Sequence, residues 1–248
     1  MAIRLQFFLF LFIFSKIITG QQIINRNDYF YDGWNLFLGV GPSTSFTDVK
    51  QNLIFPVTQP ENEWRLGINL MLAKDLSNIF NVRGQAHYSK VAGVRTQNEY
   101  YFEAELIEGN LSVAANISNM IRPYRSDYKW FVSFSLGTGL SYYNSTLYHL
   151  KSDTIIAQRG YGKGSGLGGR IIEGIIVCGM EVDYKLNENW GIKIQSANRW
   201  MNSDSFDSKE GGFPFDFYNI TTIGVTYKFY RVFYYPVIDN GYQSGYKP

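Results

Sequence analysis

Eight short runs of alternating apolar and polar residues recur along this 248-residue chain. The run at 129–143, KWFVSFSLGTGLSYY, places Trp130 and Phe134 on one face of an extended chain and Ser133 and Ser135 on the other. Side chains alternate between the two faces of a strand, so this period predicts β-strands with one apolar face. The runs occupy 33–41, 62–74, 79–90, 106–118, 129–143, 174–186, 190–200 and 218–229.

The connections between the runs alternate in length. Short ones (AKDLSN, SNMIRPYRSD and LNEN) follow the second, fourth and sixth runs, and longer ones at 48–61, 90–98, 144–170 and 202–212 follow the odd runs. Short turns on one side and long loops on the other are typical of outer-membrane barrels. The sequence therefore predicts an all-β fold: an eight-stranded antiparallel up-and-down transmembrane β-barrel over 33–229, with a filled polar lumen. The alternative is a soluble periplasmic sandwich or a lipocalin-like barrel.

Aromatic residues lie near the ends of the runs, and they make up 17% of the chain. Amphipathic rings collect at lipid–water boundaries, so two aromatic rims are expected on the barrel. The predicted girdle consists of Trp34, Trp64, Phe80, Trp130, Trp190, Trp200, Tyr227 and Phe229.

The first twenty residues predict export. MAIR supplies a positive start, and an apolar run of about 10 residues follows that is shorter than the ~20 a membrane-spanning helix needs. We expect a signal peptide at 1–20, a periplasmic segment at 21–32, the barrel at 33–229 and a periplasmic tail at 230–248. The predicted location is the outer membrane.

Charged residues on the polar faces are predicted to fill the lumen. An eight-stranded barrel is just wide enough for its side chains, and buried charges persist when they are paired, so an ion-pair network that conducts little is expected. A narrow passive pore is the alternative. The predicted network consists of Glu63, Arg65, Arg83, His87, Glu108, Lys129, Glu181, Asp183, Lys185, Lys193 and Lys228.

The fourth run contains a change of parity. Phe102 and Leu106 share one face, whereas Leu111 and Val113 share the other. Either a β-bulge lies near Leu106, or the segment at 100–105 projects beyond the bilayer; the second interpretation is preferred because Glu103 and Glu105 would then point sideways above the lipid.

Several function classes find no support in the residues. The net charge of +2 and the absence of a basic cluster argue against nucleic-acid binding, and the single cysteine excludes an intramolecular disulfide and a cysteine-based zinc site. His87 and Ser89 share a strand face without an evident acid, and no metal spacing occurs. No catalytic residue, metal site or cofactor is predicted, and the chain is not expected to be an enzyme.

Two segments outside the runs are candidate contact surfaces. The tail is apolar, and its residues Arg231, Phe233, Tyr234, Tyr235 and Pro236 predict either a periplasmic docking peptide or an ordered cap under the barrel. The loop at 144–170 could instead serve a surface-exposed binder or adhesin. Its Asp153-Thr154-Ile155 triplet matches the O-glycosylation pattern of Bacteroidota, which makes Thr154 a candidate site.

Four stretches resemble the small OmpA-like outer-membrane barrels of the Bacteroidota that include PorG, a component associated with type IX secretion. They are LFLGVGPSTSFTDV, YFEAELIEGNLSVAANIS, NRWMNSDSFDS and FYNITTIGVTYKF, within 33–229. The resemblance implies a structural anchor or assembly subunit of an outer-membrane complex, possessing no chemistry of its own. Its implied partners are the lipid bilayer with lipopolysaccharide and other outer-membrane or periplasmic proteins.

Overall fold

The computed structural model describes residues 30–47, 49, 63–121, 128–162, 167–202, 206–208 and 216–233, and the elements below belong to these ranges. The strands are β1 (Phe30–Phe46), β2 (Arg65–Asp75), β3 (Phe80–Arg95), β4 (Tyr100–Asn116), β5 (Trp130–His149), β6 (Ile155–Arg159), β7 (Ile171–Lys185), β8 (Trp190–Met201) and β9 (Phe217–Phe233). One short helix, α1 (Ile117–Ile121), follows β4, and 3-10 turns lie at Thr96–Asn98 and Leu167–Gly169. No helix in the described part of the chain has the length and apolar character needed to cross a membrane.

Eight of these strands close into an antiparallel barrel, which confirms the predicted fold class. The hydrogen-bonded order is β4-β3-β2-β1-β9-β8-β7-β5, and a further pairing of β4 with β5 closes the sheet. The short β6 pairs with β5 beyond the end of β7 and forms a hairpin above the barrel. Closure gives every barrel strand two neighbours, so no open edge is left in the membrane-spanning part.

The two faces of the strands differ as the alternating pattern predicts. On β2 the side chains of Leu66, Ile68 and Leu70 are exposed, whereas Asn69 and Met71 are fully buried. The same alternation holds along most of each other barrel strand, whereas 91–94 on β3 and 145–147 on β5 are buried at every position. Apolar residues therefore cover the outside of the barrel, and most residues that face its interior along the apolar runs are polar.

Several strands extend beyond their apolar runs. β3 continues to Arg95 and β4 begins at Tyr100, so the predicted loop at 90–98 is only a four-residue turn. Likewise, 144–149 and 155–159 of the predicted loop at 144–170 are strand, because β5 continues to His149 and pairs with β6. These loop predictions were wrong because backbone pairing needs no apolar side chains, so the apolar pattern marks only the lipid-facing part of a strand.

The parity change in the fourth run does not come from a bulge. β4 pairs with β3 and with β5 without any shift of register, and Phe102, Leu106 and Glu108 all face the interior. The segment at 100–105 continues the strand on the side of the long connections, and Glu103 and Glu105 lie on its outer face, as the preferred interpretation expected.

The barrel is slightly longer at its ends than 33–229. β1 begins at Phe30, and β9 continues through Arg231 to Phe233. The predicted signal peptide at 1–20, residues 21–29 of the N-terminal segment, and Tyr234, Tyr235 and Pro236 of the tail lie outside the described residues. The tail prediction is therefore restricted to residues beyond Phe233.

Candidate functional site

One set of ion pairs crosses the lumen from β3 to β7. Arg83 Nη1 donates to Glu181 Oε2 at 2.7 Å, and Arg83 Nη2 donates to the other oxygen of the same carboxylate. Lys193 Nζ lies 3.4 Å from Glu181 Oε1 and 3.5 Å from Asp183 Oδ2. Asn81 Oδ1 accepts a hydrogen bond of 2.6 Å from Arg83 Nε. A guanidinium that meets a carboxylate through two charge-assisted hydrogen bonds forms one of the stronger kinds of side-chain pair.

A second set connects β8, β4, β3 and β9. Arg199 Nε donates to Glu108 Oε2 at 2.7 Å, and Arg199 Nη2 donates to His87 Nε2 at 2.9 Å. Tyr218 and Asn110 donate to the two Glu108 oxygens at 2.8 and 2.5 Å. Arg199 lies on a predicted polar face but was missing from the predicted network, although it is completely buried.

The two sets balance their charges. Arg83, Lys193 and Arg199 supply three cations, and Glu108, Glu181 and Asp183 supply three carboxylates. Each set is balanced within itself, and removing one partner of a buried pair would leave an unpaired charge at a cost on the order of 3–5 kcal/mol. Between the sets, Asn69 Nδ2 donates to Gln195 Oε1 across the lumen at 2.7 Å. The side chains thus fill the cross-section rather than line a channel.

Not all predicted network residues lie in this interior. Lys129 is exposed at the short-turn rim, and Arg65 pairs with Glu103 on the outer surface at 2.6 Å. Both lie at strand ends. Their positions in the alternating pattern correspond to the inner face, but the enclosed part of the barrel does not reach these ends. Lys185 and Lys228 are half-buried near the short-turn rim. Glu63 is buried but accepts its hydrogen bond from the backbone of Val94, at the opposite end.

An apolar plug closes the lumen on the side of the long connections. Phe206, from the segment between β8 and β9, is fully buried and packs against Phe102, Tyr143 and Tyr218, with ring centroids 6.1, 5.0 and 5.5 Å away. This plug was not predicted from the sequence. The parity change in the fourth run indicated it, because the apolar side chains of Phe102 and Leu106 face the interior at the level where the charged network ends.

Backbone and carboxylate contacts hold the plug in place. Asp216 Oδ2 accepts from the Phe206 amide at 2.9 Å, and Asp207 Oδ2 accepts from the Val49 amide at 3.1 Å. Ser208 adopts a left-handed backbone with φ of 61° and its hydroxyl meets that of Ser145 on β5 at 2.5 Å. Two of the long connections are therefore tied together inside the barrel mouth.

The outer surface carries an apolar band between two aromatic rims. At the short-turn rim, Trp130 packs on Tyr184 at 4.6 Å and Trp190 on Tyr227 at 4.8 Å. The other predicted girdle residues, Trp34, Trp64, Phe80, Trp200 and Phe229, are exposed or half-buried at one rim or the other. An apolar band between aromatic girdles, around a polar closed interior, is the arrangement of barrels embedded in outer membranes. The chain is an outer-membrane β-barrel.

Comparisons with known proteins find similar barrels among solved structures. Neither a family model nor a curated protein sequence matches the chain. The outer-membrane barrel is similar to Ail, the attachment invasion locus protein of Yersinia pestis, with 10% identity and a TM-score of 0.45 over 80% of this chain and 99% of that one. It is also similar to OprG of Pseudomonas aeruginosa, with 12% identity and a TM-score of 0.40 over 82% and 98%. Likenesses at this level carry no functional argument.

The extended strands present polar groups above the membrane band. Glu99, at the turn between β3 and β4, has its pKa lowered by a hydrogen bond from Lys151. Desolvation by burial, together with a 3.0 Å hydrogen bond to Asp153, raises the pKa of Tyr101 to about 12. Thr154, the candidate O-glycosylation site, is exposed at the tip of the β5–β6 hairpin. Glycosylation there remains a prediction.

The described side chains contain no cluster of three or more histidine, cysteine or acidic residues that could hold a metal ion. His87 is buried against Arg199 and Glu108, and Ser89 lies on the same inner face. Both side chains are therefore buried within the lumen.

The filled lumen predicts that the barrel does not conduct. The pure protein in planar bilayers should show no sustained ion current, because both the ion-pair sets and the Phe206 plug occupy the path. A porin reconstituted in the same bilayers serves as the positive control. Stable current steps from several independent preparations of this protein would favour the passive pore instead.

Proposed function

We propose that the protein is a non-enzymatic integral anchor and assembly subunit of an outer-membrane protein complex. The observation that carries this proposal is the double closure of the lumen, by the Arg83–Glu181 and Arg199–Glu108 sets and by the Phe206 plug. A barrel whose interior is fully used by its own side chains acts through its surfaces and its ends.

The resemblance to PorG-containing Bacteroidota barrels supports a more specific role. In that role the complex belongs to the type IX secretion or gliding machinery, and the barrel contributes to protein transport by holding periplasmic components at the outer membrane. The apolar tail beyond Phe233, with Tyr234, Tyr235 and Pro236, is the proposed docking segment. An exposed apolar segment would bury its side chains against a partner.

Deletion of the tail tests this role, and the deletion should begin after the last residue of β9. Removing residues 234–248 leaves β9 intact, whereas a cut at Tyr230 would shorten the strand next to β1. We expect the truncated chain to insert normally but to lose its periplasmic partners when native membranes are cross-linked, purified and analysed by mass spectrometry.

A matched control replaces 234–248 by a Gly/Ser segment of equal length, which keeps the chain length and removes the apolar side chains. It should behave like the deletion. If both variants recover the same partners as the unaltered protein, the docking role of the tail is wrong. A heat-dependent shift in gel mobility checks that each barrel is folded.

A surface-exposed binder is the second candidate. The β5–β6 hairpin rises above the barrel, and its Ile155 and Ile156 are about half exposed (56% and 47%) on a short strand that pairs only with β5 among the described strands. An exposed strand edge can accept a strand from another protein. Replacing 151–161 by a short turn in the same cross-linking experiment would remove extracellular partners if this candidate is right, and periplasmic partners would remain.

A further inference from the structure

An apolar groove with a basic end lies on the outer surface at the long-connection rim. Its volume is about 660 Å³, within the range of ~300–1,000 Å³ that is typical of small-molecule sites. The exposed side chains of Leu66 and Ile68 form its membrane-facing part. The complete lining consists of Pro42, Trp64, Arg65, Leu66, Ile68, Tyr88 and Lys90.

Hydrogen bonds hold the polar end of the groove in position. The Tyr88 hydroxyl donates to Glu105 Oε1 at 2.5 Å, and Arg65 Nη2 donates to Glu103 Oε1 at 2.6 Å. The Tyr88 ring is thereby fixed as a side wall. A groove whose walls are already ordered loses little conformational entropy when it binds a ligand.

Lys90 gives the groove a positive charge that the rest of the described chain does not neutralise. Its side chain is exposed on the outer face of β3, directly opposite Glu105 on β4. The Glu105 carboxylate is already engaged by Arg170 at 3.2 Å and by Tyr88. Among the described residues, the Lys90 ammonium makes no ion pair or side-chain hydrogen bond. Within the described part of the chain it therefore has no counter-ion, and an external anion can contact it.

We propose that this groove binds one phosphorylated lipid of the outer leaflet. One acyl chain lies along Leu66 and Ile68, and a phosphate of the headgroup contacts Lys90, with Arg65 beside it. The apolar part of the groove faces the membrane band, and its cation lies at the rim of the long connections, which is the extracellular side in barrels of this type. Charge complementarity selects an anionic headgroup, and the apolar surface selects a lipid over a soluble anion. The proposal does not depend on the anchoring role.

Native mass spectrometry of the full chain in detergent micelles tests the site, with a diphosphorylated, hexa-acylated saccharolipid as the probe. We expect one lipid to remain bound to each barrel. Lys90→Gln should weaken the apparent affinity about tenfold, because it removes a charge-assisted contact. Leu66→Trp should weaken it at least as much, because the larger ring occupies the chain position. Both residues point outward, so neither change disturbs the lumen.

Matched controls separate this site from general lipid adhesion. Lys129→Gln makes the same charge change at the opposite rim, and Ile194→Trp adds the same ring to the lipid-facing side of β8; both should retain the lipid. The dephosphorylated lipid should bind more weakly than the phosphorylated lipid to the unaltered protein. Its affinity should not change in Lys90→Gln. Inorganic phosphate at the same concentration as the lipid should not displace the lipid from the barrel. Equal effects of Lys90→Gln and Lys129→Gln, or equal affinity for both lipids, would overturn the proposal, as would effective competition by inorganic phosphate.

Discussion

Replacing Arg199 by methionine is expected to reduce the free energy of unfolding by about 3–5 kcal/mol, the size of change seen when one partner of a buried ion pair is removed. Arg199 and Glu108 are both fully enclosed in the lumen, and their atoms Nε and Oε2 lie 2.7 Å apart. Methionine fills much of the same volume but leaves the Glu108 carboxylate without its cation. Urea unfolding of the barrel in lipid vesicles, followed by tryptophan fluorescence, measures the loss.

Two further variants show whether the loss comes from the unpaired charge. Adding Glu108→Gln to Arg199→Met removes the charge and keeps one of the two oxygen acceptors that Tyr218 and Asn110 use, so the double variant should be more stable than the single one. Lys151→Met breaks an exposed pair with Glu99 and should leave the unfolding curve unchanged. If Arg199→Met behaves like Lys151→Met, the lumen network does not stabilise the barrel.

Replacing Phe206 by alanine is expected to have a comparable effect, about 3–5 kcal/mol, because its ring is fully buried among three other aromatic rings. The cavity would lie at the mouth of the lumen, where Phe102, Tyr143 and Tyr218 lose their common contact. The same unfolding measurement in vesicles gives the magnitude.

Phe134→Ala is the matched control for the plug. Phe134 lies on the lipid-facing side of β5, so lipid chains can replace its contacts and the loss should be distinctly smaller. Phe206→Leu, which keeps most of the volume, should recover the greater part of the stability. Equal losses for Phe206→Ala and Phe134→Ala would mean that the plug contributes no more than an ordinary lipid-facing ring.

The alternating pattern was sufficient to predict the barrel and its lipid-facing residues. Trp34, Leu136 and Ile194 are exposed, as their positions in the runs require, because the two-residue period is a local property of the extended chain. The same periodicity predicted that Arg83, His87, Glu108 and Lys193 face inward. It could not predict that Lys129 and Arg65 lie outside the lumen, because parity gives the direction of a side chain and not its depth along the barrel axis.

The sequence by itself determined which residues form the lipid-facing part of each strand and which face of that part meets lipid, since both follow from neighbours two positions apart. Only the tertiary structure decided that Arg83 meets Glu181, 98 positions away, and that Arg199 meets Glu108, 91 positions away. It also decided that Phe206 closes the mouth and that Lys90 remains beside an apolar groove. These contacts depend on the register and closure of the whole barrel, which bring distant strands face to face and which no local pattern encodes.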